Sequence, residues 1–331
     1  MRRIVAIGTT GGTISMSSAH PDGPATPTIN GEDLAAPLAL WADDLEIRSR
    51  TLLRVGSPQL RLAHVLEVLS FAESSVDEGA CGVVIVQGTD TLEEVAYLLD
   101  LLWSRDEPLV VTGAMRASDD AGAEGMGNLL AAVRVASDER MRAIGVLAVL
   151  NDEAHLASLV TKVDANALAA FRSASWGPVA KFVEGRVVSA YRPLDRMAPL
   201  PLPDKSEPRI PIIMAALDDD GELLRAAIST RPRGIVVSAM GSGHVPVPMA
   251  DAAEEAVRAG IPVVFASRTG GGTTTRNSYG YPGSEVDLLR RGLIGAGWLD
   301  ARKSRLLLHL LVAKGASSEK IAAEFTARGR L

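Results

Sequence analysis

Four short segments of the chain hold side chains suited to nucleophilic and general-base chemistry. In Gly8-Thr9-Thr10-Gly11-Gly12-Thr13-Ile14, hydroxyls stand beside paired glycines, which allow a sharp turn and a close approach of backbone to ligand. In Gln87-Gly88-Thr89-Asp90-Thr91-Leu92-Glu93-Glu94 a hydroxyl and a carboxylate are neighbours. The third segment, Gly113-Ala114-Met115-Arg116, is followed by Asp119-Asp120-Ala121-Gly122 and by Asn128, and the fourth carries Lys162 in Leu159-Val160-Thr161-Lys162-Val163-Asp164. Each also has a plainer reading. The first could cradle a phosphate, although the chain contains no G-x-x-x-x-G-K-[ST] and no G-x-G-x-x-G. The second is an ordinary helix start, with Asp or Thr followed three residues later by Glu. A lone lysine belongs by default to a solvated surface.

The elements that must position these groups are legible as an alternation. Apolar runs Ile4 to Ile7, Leu45 to Val55, Gly82 to Val86, Leu109 to Thr112 and Ile144 to Leu150 read as strands. Between them lie helical stretches such as Leu92, Val95, Leu99 and Leu102, whose spacing lays one apolar stripe against a sheet. The pattern predicts an α/β protein: a larger N-terminal domain, residues 1–191, with a mostly parallel, doubly wound sheet. Prolines 193, 199, 201, 203 and 208 deny regular hydrogen bonding to 192–208, which reads as an extended linker. Beyond it, 209–331 reads as a smaller C-terminal α/β domain, with strands Ile210 to Ala215, Gly234 to Ser238 and Ile261 to Ala266, and helices Gly221 to Ser229, Met249 to Ala259 and Ala301 to Ala313. In such sheets ligands bind beyond the carboxyl ends of the strands, where the four segments fall.

Composition narrows the class. Of 331 residues 47% are hydrophobic and 22% charged, as in ordinary folded enzymes, while aromatics at 4% leave the core to Val, Leu, Ile and Ala. A formal charge of -6 with scattered basic residues argues against nucleic acid as a partner. The single cysteine, Cys81, excludes an intrachain disulfide and reads as a buried small hydrophobe. No apolar run reaches the roughly 18 residues of a membrane span, so no membrane partner is expected. The chain is read as soluble and cytoplasmic, although a secreted protein stripped of its leader would read the same.

Thr10-Gly11-Gly12-Thr13-Ile14, Gly88-Thr89-Asp90-Thr91 and Gly113-Ala114-Met115-Arg116, in this order and followed by Thr161-Lys162, resemble the bacterial L-asparaginase and glutaminase-asparaginase family. The likeness runs nearly end to end, through Gly241-Ser242-Gly243-His244 and from Ser267-Arg268 to Glu285-Val286-Asp287. It implies an asparaginase-like fold and hydrolysis of the side-chain amide of L-asparagine, without cofactor or catalytic metal. Such a reaction needs a nucleophile, a base and donors for the oxyanion. The resemblance gives Thr13 the nucleophilic hydroxyl and makes Thr89, Asp90 and Lys162 the second catalytic set. It gives substrate binding to Gly12, Ser57, Pro58, Gly88, Ala114, His244 and Glu285. Ser57 would hold the α-carboxylate and Asp90 the α-ammonium; Glu285, at the rim of a neighbouring subunit's second domain, would complete the ammonium site. The glycine run 270–272 would be the flexible connection delivering it. A homo-oligomer follows, usually a dimer of dimers, with an amino acid as its small-molecule partner.

Three positions depart from the family. A lid after the first strand commonly carries a tyrosine, but none occurs between Thr13 and Gly31, and Thr26 in Pro24-Ala25-Thr26-Pro27 is the candidate to replace it. Pro58 stands where glutamine is frequent, and His244 where asparagine is usual. The other histidines read plainly: His20 in the lid, His64 and His309 in helices, and His155 after the last strand of the first domain. Three alternatives stay open: a glutaminase, an amidotransferase-type ammonia supplier, and a catalytically silent amino-acid-binding protein on the same fold.

Overall fold

The computed structural model describes residues 2–17, 26–203 and 208–330, apart from the side chains of residues 17, 26 and 27. The chain divides into two units, Met1–Pro199 and Leu200–Leu331, each with its own parallel sheet. The first runs β1 (Arg3–Thr9), β2 (Met16–Ser17), β3 (Thr26–Pro27), α1 (Gly31–Ala35), β4 (Leu45–Thr51), α2 (Leu62–Asp77), β5 (Ala80–Val86), α3 (Leu92–Leu102), β6 (Leu109–Thr112), α4 (Gly125–Ala136), β7 (Val146–Leu150), β8 (Glu153–Leu156), β9 (Thr161–Lys162), β10 (Phe171–Arg172), β11 (Ala180–Val183) and β12 (Arg186–Ser189).

Strands that read as unbroken apolar runs lie inside the sheet. Every residue of β6 and β7 is buried, as helices on both faces require. Strand β4, with sequence LEIRSRT, alternates in burial and forms an edge. The eight-stranded order is β12-β11-β8-β7-β6-β5-β1-β4. From β4 to β7 the neighbours are parallel. The chain leaves β1 for β4 on one side, then returns through α2 to β5 on the other. The crossovers therefore diverge between β1 and β5, and a crevice opens above the carboxyl ends of that pair.

Three local readings need correction. Strand β4 stops at Thr51 rather than Val55, because the amides of Leu52 and Leu53 donate to Thr9 O and that of Val55 to Thr10 O, carrying the chain across the end of β1. His155 lies within β8, which turns back antiparallel on β7 through Asn151 and Asp152, both at positive φ. The hairpin β11–β12 turns likewise at Glu184 and Gly185. Finally, the proline-rich stretch does not leave the first unit at residue 192. Arg192 donates to the carbonyls of Arg140 and Arg142, and Arg196 to those of Trp103 and Arg105, so its first half is pinned down.

The second unit runs β13 (Ile212–Met214), α5 (Glu222–Ser229), β14 (Ile235–Ala239), α6 (Val247–Arg258), β15 (Val263–Ser267), α7 (Glu285–Arg290), β16 (Ile294–Gly295), α8 (Ala301–Ala313) and α9 (Ser318–Arg328). Its strands are parallel in sequence order, β13-β14-β15-β16. One core joins Leu224 and Met249 to Val237 and Phe265, while α8 packs on β13 to β15. No helix among the described residues is long and apolar enough to cross a membrane.

Helix α8 begins at Asp300, whose carboxylate accepts from the amides of Arg302 and Lys303 and pairs with Lys303 Nζ at 3.0 Å. Burial pushes this carboxyl up, but the charges of Lys303 and Arg302 outweigh it and hold it down at about 2. A lowered acid stabilises the fold above its unfolded value and loses that contribution as pH falls. Asp300→Asn keeps a capping oxygen and removes the charge. It is expected to lower stability by roughly 1–2 kcal/mol at pH 7, with the difference fading between about pH 4 and pH 2 in urea unfolding.

Candidate active site

Two glycines bring the first two loops into contact. Gly12 has φ 88, and a Cβ there would lie 2.1 Å from the amide nitrogen of Gly88. Only a residue without a side chain permits both the conformation and the approach. Thr13 and Thr89 each follow one of these touching glycines, at the ends of β1 and β5. The amide of Thr10 donates to Val86 O at 2.9 Å, and that of Val55 to Thr10 O at 3.0 Å, so the first loop is stitched on both sides. Thr13 then opens a single 3-10 turn, Thr13–Ser15, and is half-buried.

The second loop carries most of the polar contacts. Thr89–Thr91 form another 3-10 turn that runs directly into α3. Lys162 Nζ donates to Thr89 Oγ1 at 3.0 Å and pairs with Asp90 Oδ1 at 2.7 Å. The lysine is largely buried, its side chain 13% exposed, whereas Asp90 at 63% opens to solvent. Because the ammonium donates to Thr89 Oγ1, it would stabilise negative charge on that oxygen, which lowers the cost of drawing off the hydroxyl proton. Ser57 is buried; its Oγ accepts from the Asp90 amide at 3.2 Å, and its carbonyl accepts from Thr91 Oγ1 at 3.1 Å. The serine keeps its own hydroxyl proton to donate. Pro58 is the second residue of the 3-10 turn Ser57–Gln59 and is exposed.

The third loop is braced from behind. Asn128 is buried on α4; its amide nitrogen donates to Gly113 O and its oxygen accepts from Asn151 N, both at 2.9 Å. Glu124 accepts from the amides of Met115 and Arg116. Ala114 is fully buried between these supports. The first and third loops also join, since Ser118 donates to Met16 O through its hydroxyl at 2.8 Å.

His244 and Glu285 meet within the second unit. Glu285 is not the rim carboxylate that the resemblance implied; it is 0% exposed. One oxygen accepts from the amides of Ser278 and Tyr279 at 2.7 and 2.8 Å, and the other lies 3.2 Å from His244 Nε2. Burial pushes its carboxyl up, yet the donors at Tyr279 and Ser278 outweigh it and hold the group below the usual carboxylate range. A carboxylate can only accept, so Nε2 carries a proton, while Nδ1 lies 3.0 Å from Tyr281 Oη. The rings of Tyr279 and Tyr281 stand edge-on to the imidazole. The segment that follows the glycine run 270–272 is anchored. There Thr274 is buried and exchanges hydrogen bonds with Gly297, and the Thr275 amide donates to Ser242 O.

Of the residues singled out in the sequence, Gly12, Ser57, Gly88, Thr89, Asp90 and Lys162 are thus joined by close approach or hydrogen bonds in the first unit, with Thr13 adjoining Gly12. Glu124 and Tyr281 escaped notice, and Glu93 was read only as part of a helix start. The spacing of Glu93 from Thr89 along one helical face was the available signal. His20 and the segment 18–25 lie outside the described residues; Thr26 stands in β3, its side chain also outside them. Among the described residues no cluster of three or more His, Cys, Asp or Glu could hold a metal. Gly12→Ala is expected to part the two loops and cost about 1–3 kcal/mol or more in denaturant unfolding. An unchanged midpoint would mean that the backbones do not touch.

Two family models cover the chain: Asparaginase, N-terminal, over residues 4–195, and Glutaminase/Asparaginase C-terminal domain, over 209–325. An L-asparaginase of Bacillus licheniformis is 32% identical over 95% of this chain and 96% of its own length. A probable L-asparaginase of Deinococcus radiodurans is 33% identical over 96% of this chain and 95% of its own. The crystal structure of a probable cytoplasmic L-asparaginase from Campylobacter jejuni superposes with a TM-score of 0.87 at 28% identity, covering 98% of this chain and 99% of that one. Matched in both units and over nearly its whole length, the chain belongs to the asparaginase family.

Proposed function

We propose that this protein hydrolyses the side-chain amide of L-asparagine to L-aspartate and ammonia, using Thr13 as nucleophile. The observation that carries the reading is Lys162 Nζ, 3.0 Å from Thr89 Oγ1 and 2.7 Å from Asp90 Oδ1; the close approach of Gly12 to Gly88, the residues preceding Thr13 and Thr89, supports it. In the first half, Thr13 Oγ attacks the amide carbon, its proton passes to the departing nitrogen, the C–N bond breaks and ammonia leaves. In the second, a water attacks the ester carbon while its proton is relayed through the Thr89 hydroxyl to Thr13 Oγ, with the Lys162 ammonium stabilising charge on Thr89 Oγ1; the ester C–O bond breaks, releasing aspartate and restoring Thr13. Amides of the glycine-rich turns, with those around Thr89 and Ala114, hold the oxyanion; one such donor contributes roughly 3 kcal/mol to lowering the barrier.

Ser57 donates its free proton to the α-carboxylate, and Asp90, exposed and already beside a cation, takes the α-ammonium. His244 of a neighbouring copy, held by the buried Glu285 behind it, completes that site, so the working unit is at least a dimer, with a dimer of dimers as the assembly. A cytoplasmic location is proposed with it, supported by the description of the Campylobacter jejuni relative.

Purified protein incubated with L-asparagine, D-asparagine and L-glutamine is expected to release ammonia fastest from L-asparagine. Thr13→Ala should abolish release, and Lys162→Met should lower kcat by roughly 10²–10⁴-fold. Wild type releasing ammonia from none of the three would leave the binding-protein alternative standing; faster release from glutamine would favour the glutaminase. Glu285→Gln should raise KM for asparagine and also lower the melting midpoint, because its carboxylate holds two backbone amides and His244. A raised KM with an unshifted midpoint would contradict that double duty.

A further inference from the structure

We infer that Glu93 is the positioning residue for Lys162, holding the lysine's backbone where its amine meets Thr89 and Asp90. The inference rests on the reading of those three residues as catalytic. Lys162 sits on a strand of two residues, β9, paired among the described residues with the equally short β10. So brief a ladder fixes little by itself. The Lys162 amide donates instead to Glu93 Oε2 at 2.9 Å. Glu93 is 1% exposed and stands in the first turn of α3, where the helix dipole favours a negative group.

Residues 89, 90 and 93 fall three and four apart along a continuous helical run, which puts them on one face. The same face therefore grips the lysine twice: Glu93 holds its backbone, while Thr89 and Asp90 hold its tip. A lysine side chain has several rotatable bonds, and fixing both ends removes most of that freedom when the protein folds rather than when substrate binds. Without Glu93, β9 is free to slide against α3, and the amine loses its register with Thr89 Oγ1.

The test compares wild type, Glu93→Gln and Glu93→Ala, with Glu93→Leu in reserve should the alanine variant not fold. Two readouts are taken: kcat and KM for asparagine, and the rate of reductive methylation of Lys162 by mass spectrometry, with the exposed Lys181 as internal control. Glu93→Ala is expected to lower kcat by roughly 100-fold with KM within about threefold, and to speed methylation of Lys162 alone. Glu93→Gln, which keeps an acceptor of the same shape, should restore most of kcat and the slow methylation. A folded alanine or leucine variant with wild-type kcat and unchanged Lys162 reactivity would overturn the inference. So would a glutamine variant as impaired as alanine while Lys162 stays protected, since charge and not position would then matter. If wild type shows no amidase activity, the functional reading fails, and the methylation comparison still decides whether Glu93 holds the lysine.

Discussion

Backbone touching backbone at Gly12 and Gly88 is the constraint on which the crevice depends. Two strands that diverge in their crossovers leave room above their ends, but room alone would hold Thr13 and Thr89 on loops free to drift. Contact between the glycines sets the separation of the loops by the thickness of the peptide itself, the least compressible spacer available. Ser57 packs against Gly88 from a third side, since a Cβ on that glycine would lie 2.9 Å from Ser57 Oγ. The hydroxyls inherit their placement from the main chain, and the side chains that support them have only to fix rotamers.

The two polar clusters solve opposite electrostatic problems. Around Lys162 a mostly buried cation meets an exposed carboxylate, so the pair keeps one member in water and avoids the full desolvation cost of a buried ion pair. Around Glu285 the carboxylate is the buried partner, and backbone amides with one imidazole satisfy it. The backbone amides stabilise the charge there without bringing a second ion out of water.

Much of this was legible in the residues. The alternation of apolar runs with helical stripes gave β1, β4, β5, β6 and β7 and the stripe of α3, since a strand buried on both faces leaves an unmistakable run of Val, Ile and Leu. The antiparallel returns β8 and β11–β12 were not, because their turns use Asn151-Asp152 and Glu184-Gly185 in left-handed conformations that a short, half-polar strand does not announce. At the site, glycines and hydroxyls stood out by type and spacing. The burial of Glu285 did not: its donors are the main-chain amides of Ser278 and Tyr279, and every residue has an amide. Glu93 was hidden for a similar reason, reading as an ordinary first-turn acid.

Strand β4 closes one side of the larger sheet, with Glu46, Arg48 and Arg50 alternating along it and directed to solvent. An open strand edge invites pairing with another chain, and a row of bulky charges discourages it. A second copy laid antiparallel along β4 would bring arginine towards arginine and trap ions in the new ladder. The charges that interrupt the apolar pattern of β4 thus guard the sheet against growing into an aggregate, on a strand whose neighbour, β1, leads into the Thr13 loop.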